Sequence, residues 1–355
     1  MREFIGWDIG GVHLKAARLT FRDGRLVPAQ EAARYFEMWR GRERLAQAMR
    51  ELRRELGGEE VTHALTMTAE LADCFASKSE GVAAVLCAAR EALGGEALRV
   101  WSCEGSFASE REAIAEPLAF AGSNWLATAV VASRCVESGL LIDIGSTTTD
   151  LVLLAGGRPQ PHCRNDTGRL TCGELVYTGV LRAPPATLAA EVPLGGDWCR
   201  LSPEAFAFTA DVYLVLGRLV PEQITTPTAD GGPPTPEAAQ RRLARLVCAD
   251  LESLGREPVL GMARFLESAQ IALLERALRQ VLSRAERGTK PMLVATGLGR
   301  FLAMRLAQRL EIPCQDLSDL VPVQNPQAAP AVCVALLLAG EALGICGPEA
   351  WKPKT

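Results

Sequence analysis

One unit occurs twice in this sequence. Trp7-Asp8-Ile9-Gly10-Gly11 closes one apolar stretch, and Ile142-Asp143-Ile144-Gly145-Ser146 closes another 135 residues later. Each is followed at once by a second stretch of strand character, His13 to Leu19 and Thr149 to Ala155. A strand, an Asp-x-Gly turn and a returning strand, repeated at this spacing, predict two related α/β halves facing each other. The chemistry of the unit is anion binding. Glycine turns the backbone tightly and lets anionic oxygens approach the N–H groups, which together form a concavity. Gly10, Gly11 and Gly145 are therefore candidate phosphate contacts, and the hydroxyls of Ser146, Thr147, Thr148 and Thr149 add donors. An aspartate beside such a turn would repel phosphate. Asp8 and Asp143 are better read as holding Mg²⁺ or its waters. Lys15 is the cation nearest the first turn, and Asp150 is a second carboxylate beside the second.

The rest of the chain alternates in the same way. Strands are expected at Phe4 to Ile9, His63 to Met67, Arg99 to Trp101, Leu140 to Ile144 and Met292 to Thr296. Helices are expected at Gly41 to Leu56, Ser77 to Leu93, Asn124 to Cys135, Pro203 to Leu219, Pro236 to Leu254, Leu260 to Ala285 and Ala331 to Leu343. Arg22-Asp23-Gly24-Arg25 and Gly156-Gly157-Arg158-Pro159 read as turns. The Pro/Gly/Thr segment from Thr225 to Pro236 excludes regular structure, as a linker or as a loop that orders over a ligand. Ala295-Thr296-Gly297-Leu298-Gly299 leaves a strand and opens a helix, which makes Gly297 and Gly299 a third candidate contact region.

Composition narrows the function classes. With 38 basic against 42 acidic residues, the net charge of −4 argues against a nucleic-acid surface as the main business. Eleven cysteines include no C-x-x-C pair and only three histidines accompany them, so reduced core thiols are expected and a Cys/His metal site is not. Met1 to Asp8 is too short and too polar for a signal peptide. The apolar run Ala328 to Gly340 is short of a bilayer span and predicts a buried helix. A cytoplasmic protein without a membrane partner is expected. Its oligomeric state is not legible.

Two hairpins followed by a late glycine turn resemble the sugar kinase/Hsp70/actin superfamily. That resemblance implies two ribonuclease-H-like domains around a central cleft, over residues 1–138 and 139–328. Residues 329–355 would form a C-terminal helix packing back on the first domain. Longer strings resemble a narrower family. They are Ile5 to Ala17, Leu65 to Phe75, Asp143 to Asp150, Arg169 to Arg182, Ala229 to Gly231 and Arg241 to Arg245. They are similar to the hydantoinase/oxoprolinase-like proteins of the tetrahydromethanopterin-linked one-carbon pathway. The resemblance implies a transferase of methanofuran-type cofactor biosynthesis. Such an enzyme condenses an aminomethyl-furanmethanol diphosphate with the phenol of γ-glutamyltyramine and releases pyrophosphate. Small-molecule substrates and Mg²⁺ are then expected, and ATP is not expected to be consumed. Val12-His13, where kinases of this fold carry a hydroxyl, agrees with that.

Further candidates divide between roles. Glu70 and Asp73 flank a strand end and could bind an amine or act as base. Arg169, Glu174, Tyr177 and Arg182 form a dense polar group suited to the amine and carboxylate ends of such substrates, or to a salt network. Asp230 could complete the site on loop closure. Other readings are an ATP-dependent kinase or amide-cleaving enzyme, and a non-catalytic nucleotide-sensing protein.

Overall fold

The computed structural model describes residues 1–22, 25–286, 291–345, 347 and 351. The centre of the expected Asp23-Gly24 turn lies outside these residues, as does Cys346.

Two sheets are built to one plan. In the first, β1 (Arg2–Ile9) pairs antiparallel with β2 (His13–Arg22). Strand β2 carries β3 (Arg25–Leu26) and β4 (Gln30–Tyr35). On the other side β1 pairs parallel with β5 (Val61–Met67), then β6 (Leu98–Trp101), with β7 (Phe107–Ser109) at the edge. The second sheet repeats the order. Strand β8 (Ser138–Ile144) pairs antiparallel with β9 (Thr149–Ala155), which carries β10 (Arg158–Pro159) and β11 (Leu175–Val176). A separate hairpin, β12 (Glu191–Leu194) with β13 (Asp197–Arg200), is inserted next. Strand β8 then pairs parallel with β14 (Met292–Thr296), which pairs parallel with β15 (Cys314–Asp316).

Helices of the first half are α1 (Met38–Gly41), α2 (Leu45–Leu56), α3 (Lys78–Leu93), α4 (Glu110–Ala115) and α5 (Asn124–Cys135). Those of the second are α6 (Asp166–Cys172), α7 (Thr209–Val215), α8 (Pro236–Arg245), α9 (Leu251–Leu254), α10 (Arg256–Leu282) and α11 (Arg300–Leu310), followed by α12 (Ala329–Leu343).

Period-two alternation sorts each strand between two cores. Ile5, Trp7 and Ile9 of β1 face α2 and α3 on the outside. Phe4 faces inward, where α5 and α12 fill the space between the sheets. Leu140, Ile142 and Ile144 of β8 face α10 and α11, while Leu141 faces inward. Gly6 lets α12 press onto β1, since a Cβ there would lie 1.9 Å from the Ala331 carbonyl oxygen. The segment Pro326–Leu343 is long and apolar enough to cross a membrane by length and composition, yet α12 is buried along nearly its whole length in this shared core.

Several expectations are corrected. The predicted helix from Pro203 to Leu219 shrinks to α7, because Asp211 caps its start by accepting from the Phe208 N–H and Gly217 (φ 63°) ends it. The predicted helix from Pro236 to Leu254 divides at Cys248, which takes φ 56°, before Asp250 caps α9. The helix expected from Gly41 starts its regular part at Leu45 after a 3₁₀ turn. Arg158 and Pro159, read as turn, pair with β9.

Candidate active site

Strand parity brings the chemistry together. Asp8 shares the inward parity of Phe4, and Asp143 that of Leu141, so both point from strand ends into the space between the halves. The two turns have the same geometry. The Gly10 N–H donates to the His13 carbonyl and the Gly145 N–H to the Thr148 carbonyl, each at 2.9 Å. Directly across each hairpin stands the residue seven positions on: Lys15 opposite Asp8, and Asp150 opposite Asp143.

Between the halves lies a cleft of about 490 Å³. Gly10, Gly11 and Lys15 line it from the first hairpin, and Gly145, Ser146, Thr147 and Thr148 from the second. Asp143, Asp150, Arg169, Arg182, Glu70 and Gly297 complete its charged or close-packed parts. Gly11 fronts open space, since an added Cβ would meet nothing within 4 Å. Gly297 is required by packing: its φ is +83°, and a Cβ would lie 2.4 Å from Asp143 Oδ1. The second loop rests on Gly179, where a Cβ would come within 2.5 Å of the Ser146–Thr147 peptide. The Val180 N–H donates to the Gly145 carbonyl, and those of Leu181 and Arg182 to the Ser146 carbonyl.

The floor is acidic. Asp8 is fully buried; Lys15 Nζ donates to its Oδ2 at 2.8 Å, and its Oδ1 has no hydrogen-bond partner. Burial, with Asp150 and Asp8 nearby, pushes the half-buried Asp143 carboxyl up to about 7. Burial also raises Asp150, against the pull of Arg169 at 2.9 Å. Arg169 is itself buried and its guanidinium stacks 3.9 Å from the Trp125 ring centroid. In the side wall, burial raises Glu70 to about 7, and its Oε2 has no hydrogen-bond partner. These unpartnered oxygens and crowded carboxylates suit a divalent cation at Asp8 and Asp143. Among the described residues no three His, Cys, Asp or Glu side chains make a metal site by themselves. An ion there would complete its shell with water and substrate oxygens, which is the habit of Mg²⁺.

Side chains tie the halves across the cleft. His13 Nε2 and Thr225 Oγ1 are 2.7 Å apart, and Lys78 Nζ donates to Asp166 Oδ2 at 2.5 Å. Arg164 donates to the Cys103 carbonyl, and Arg182 lies over Trp39. His13 faces the cleft; burial, with Lys15 and Arg182, lowers it to about 3, so it is neutral.

Four expected site residues are elsewhere, among them Thr149, whose buried hydroxyl donates to the Thr178 carbonyl at 2.8 Å. Buried Glu174 accepts from the His162 and Cys163 N–H groups and holds a bend behind the cleft. Gly299 is a packing glycine, with a virtual Cβ 2.3 Å from Ile144. Asp230 accepts from Arg242 at 3.1 Å and Arg245 at 3.4 Å, and orders its own loop within the second half. The segment from Thr225 to Pro236 is thus a pinned loop of that half, and its first residue reaches across to His13. Sequence reading missed Trp39, Trp125, Gly179 and the Lys78–Asp166 bridge. Only the seven-residue interval shared by the hairpins could have signalled the paired positions.

Known proteins match this chain at two levels. Residues 61–339 match the hydantoinase/oxoprolinase family. The chain is 33% identical over 297 residues to the (4-{4-[2-(gamma-L-glutamylamino)ethyl]phenoxymethyl}furan-2-yl)methanamine synthase of Methanocaldococcus jannaschii, covering 83% of this chain and 86% of that protein. A synthase of the same name from Methanococcus vannielii is 28% identical over 215 residues, 59% of this chain and 95% of that one. Nucleotide-free acetone carboxylase superposes with a TM-score of 0.51 at 12% identity, over 84% of this chain and 66% of that one, a likeness of fold alone. Matched hairpins, cleft and family together lead to one statement: the chain belongs to the hydantoinase/oxoprolinase family.

Proposed function

We propose that this protein is a cytoplasmic alkyltransferase that makes the phenoxymethyl-furan ether named in its relatives. The supporting observation is a pair of equivalent hairpin turns facing one cleft, in a chain 33% identical to that synthase. The turn N–H groups beyond those of Gly10 and Gly145, the hydroxyls of Ser146 to Thr148, Lys15 and Arg182 are suited to a diphosphate. Asp8 and Asp143 are the carboxylates that would hold Mg²⁺, which would offset diphosphate charge as it develops.

The bond from the furan-bearing CH₂ to the diphosphate oxygen breaks, and the bond from CH₂ to the phenol oxygen forms. The electron pair of the broken bond leaves with pyrophosphate. A furan-bearing CH₂ tolerates positive charge, so stabilising the leaving group governs the rate. The phenol, with an ordinary pKa of about 10, gives up its proton to a base that is neither too strong nor protonated at working pH. The departing pyrophosphate, released beside the acceptor, offers oxygens that can take that proton. Exposed Leu71, Leu170 and Tyr177 rim the cleft and offer an apolar seat to an aromatic acceptor.

The test is incubation with Mg²⁺, the aminomethyl-furanmethanol diphosphate and γ-glutamyltyramine without ATP, read by mass spectrometry. Ether and pyrophosphate are expected, and both should fall at least 100-fold in Asp8→Ala. A folded protein that forms ether only when ATP is added would overturn the reading.

A further inference from the structure

The cleft is sorted by charge. Lys15, Arg182 and the hairpin turns supply the donors of one part, above the acidic floor that Asp143 and Asp150 line. Glu70, Asp73 and Asp166 line another part, where the adjacent cation, Lys78, is already bonded to Asp166. Glu70 is 2% exposed, and one of its oxygens has no partner. Backbone N–H groups of Glu70 and Gly122 hydrogen-bond to this carboxylate, but a buried oxygen left without a partner is costly, and an ammonium supplied by a ligand would relieve that cost.

The two parts adjoin along the chain. The Thr68 hydroxyl lies 3.6 Å from where a Cβ on Gly10 would stand, so Thr68 adjoins the first turn. Glu70 follows two residues later, at most about 7 Å of chain. The product named for the relatives carries a primary amine on a methylene of the furan ring. Under the proposed function, its precursor would therefore carry a diphosphate on one arm and an ammonium on the other.

We infer that Glu70 is the ammonium anchor for the aminomethyl arm of the diphosphate substrate, and that it fixes which end of the furan meets the hairpins. This inference rests on the transferase reading for the identity of the ligand. It makes Glu70 a specificity determinant and leaves the phenol proton to the departing pyrophosphate. The aromatic acceptor then comes from the Leu71, Leu170 and Tyr177 side, where apolar surface is exposed, without displacing a group at Glu70.

The experiment is a two-by-two calorimetric cycle without acceptor. Wild type and Glu70→Gln are each titrated with the aminomethyl-furanmethanol diphosphate and with its analogue carrying methyl in place of aminomethyl. Pyrophosphate alone serves as the control for an intact hairpin site, and a thermal melt as the control for folding. Wild type should bind the amine-bearing ligand about 100-fold more tightly than the analogue, because the analogue leaves a buried carboxylate unpaired. Glu70→Gln should abolish that preference while binding pyrophosphate as wild type does. Equal affinity of wild type for both ligands would overturn the inference, as would a preference that survives in Glu70→Gln. The predicted cycle without ether formation in the coupled assay would keep the anchor and discard the transferase.

Discussion

The two hairpins share a backbone and differ in how they balance charge. In the first, the position across from Asp8 is Lys15, so the acid is neutralised within the hairpin. In the second, the equivalent position across from Asp143 is another acid, Asp150. Its cation is Arg169, brought from α6 and stacked on Trp125 of α5. The first hairpin carries its own counter-cation, which leaves only the Asp8 Oδ1 unpartnered. The second is complete only when α5 and α6 pack around it, and it retains an acid, Asp143, pushed up to about 7. One repeat thus carries its counter-cation within the hairpin and the other borrows it from a helix.

Breaking the borrowed pair should have the largest effect. Arg169→Met leaves Asp150 buried beside Asp143 with its cation removed, and stability should fall by ~3–5 kcal/mol. Chemical denaturation would read this as a shifted midpoint, and an unchanged midpoint would show that the second hairpin needs no external cation. Asp8→Asn attacks the self-contained pair. It retains a hydrogen-bond acceptor for Lys15, so a smaller loss of ~1–3 kcal/mol is expected.

Asp143→Asn should run the other way with pH. Because the folded carboxyl is raised from 3.8 to about 7, its contribution to stability is fully present below about pH 3.8. That contribution is lost as pH rises to about 7. Asparagine cannot ionise, so Asp143→Asn should match wild type at pH 4 and exceed it at pH 8 by ~1–2 kcal/mol, discounted for the side chain's partial access to solvent. Melts at the two pH values decide this, and a variant less stable than wild type at pH 8 would contradict it.

The smallest structural effect should come from Gly11→Ala and Gly145→Ala. Neither glycine has a positive φ; a Cβ meets open space at Gly11 and only an ordinary 3.4 Å neighbour at Gly145. Melting should move by less than about 0.5 kcal/mol. Pyrophosphate affinity should nonetheless drop at least tenfold in both, because a methyl occupies the space in which oxygens approach the N–H groups. Unchanged affinity in one variant alone would show that only the other turn carries the anion.

Legibility from sequence followed the range of the forces involved. Helix α5 and strands β9 and β14 have the boundaries read from pattern, because alternation, caps and glycine stops are local signals. The paired aspartates were legible for the same reason, since motif and parity both lie within a dozen residues. Glu174 and Asp230 lie away from the cleft because each is held by partners outside its own local segment. Glu174 caps the backbone of residues 162 and 163 from across a bend, and Asp230 answers to the fully buried Arg242 on α8. Arg242 also pairs with buried Asp211 at 2.7 Å, which is why α7 begins where it does and not at Pro203. No local periodicity encodes such pairs.

Gly6 and the helix that presses on it set an order in time. The inward face of β1 is covered by α12, which lies more than three hundred residues downstream. A ribosome adding about 5–20 residues per second needs roughly 16 seconds to a minute to produce the helix after the strand. Throughout that interval the first half can form its outer layer but not its inner one. It emerges as a half-clad sheet that reaches its native packing only after the second half has been synthesised. The active cleft, whose floor abuts that same inner layer, is therefore a late product of biogenesis, and a stalled chain would carry both aspartates without ever juxtaposing them.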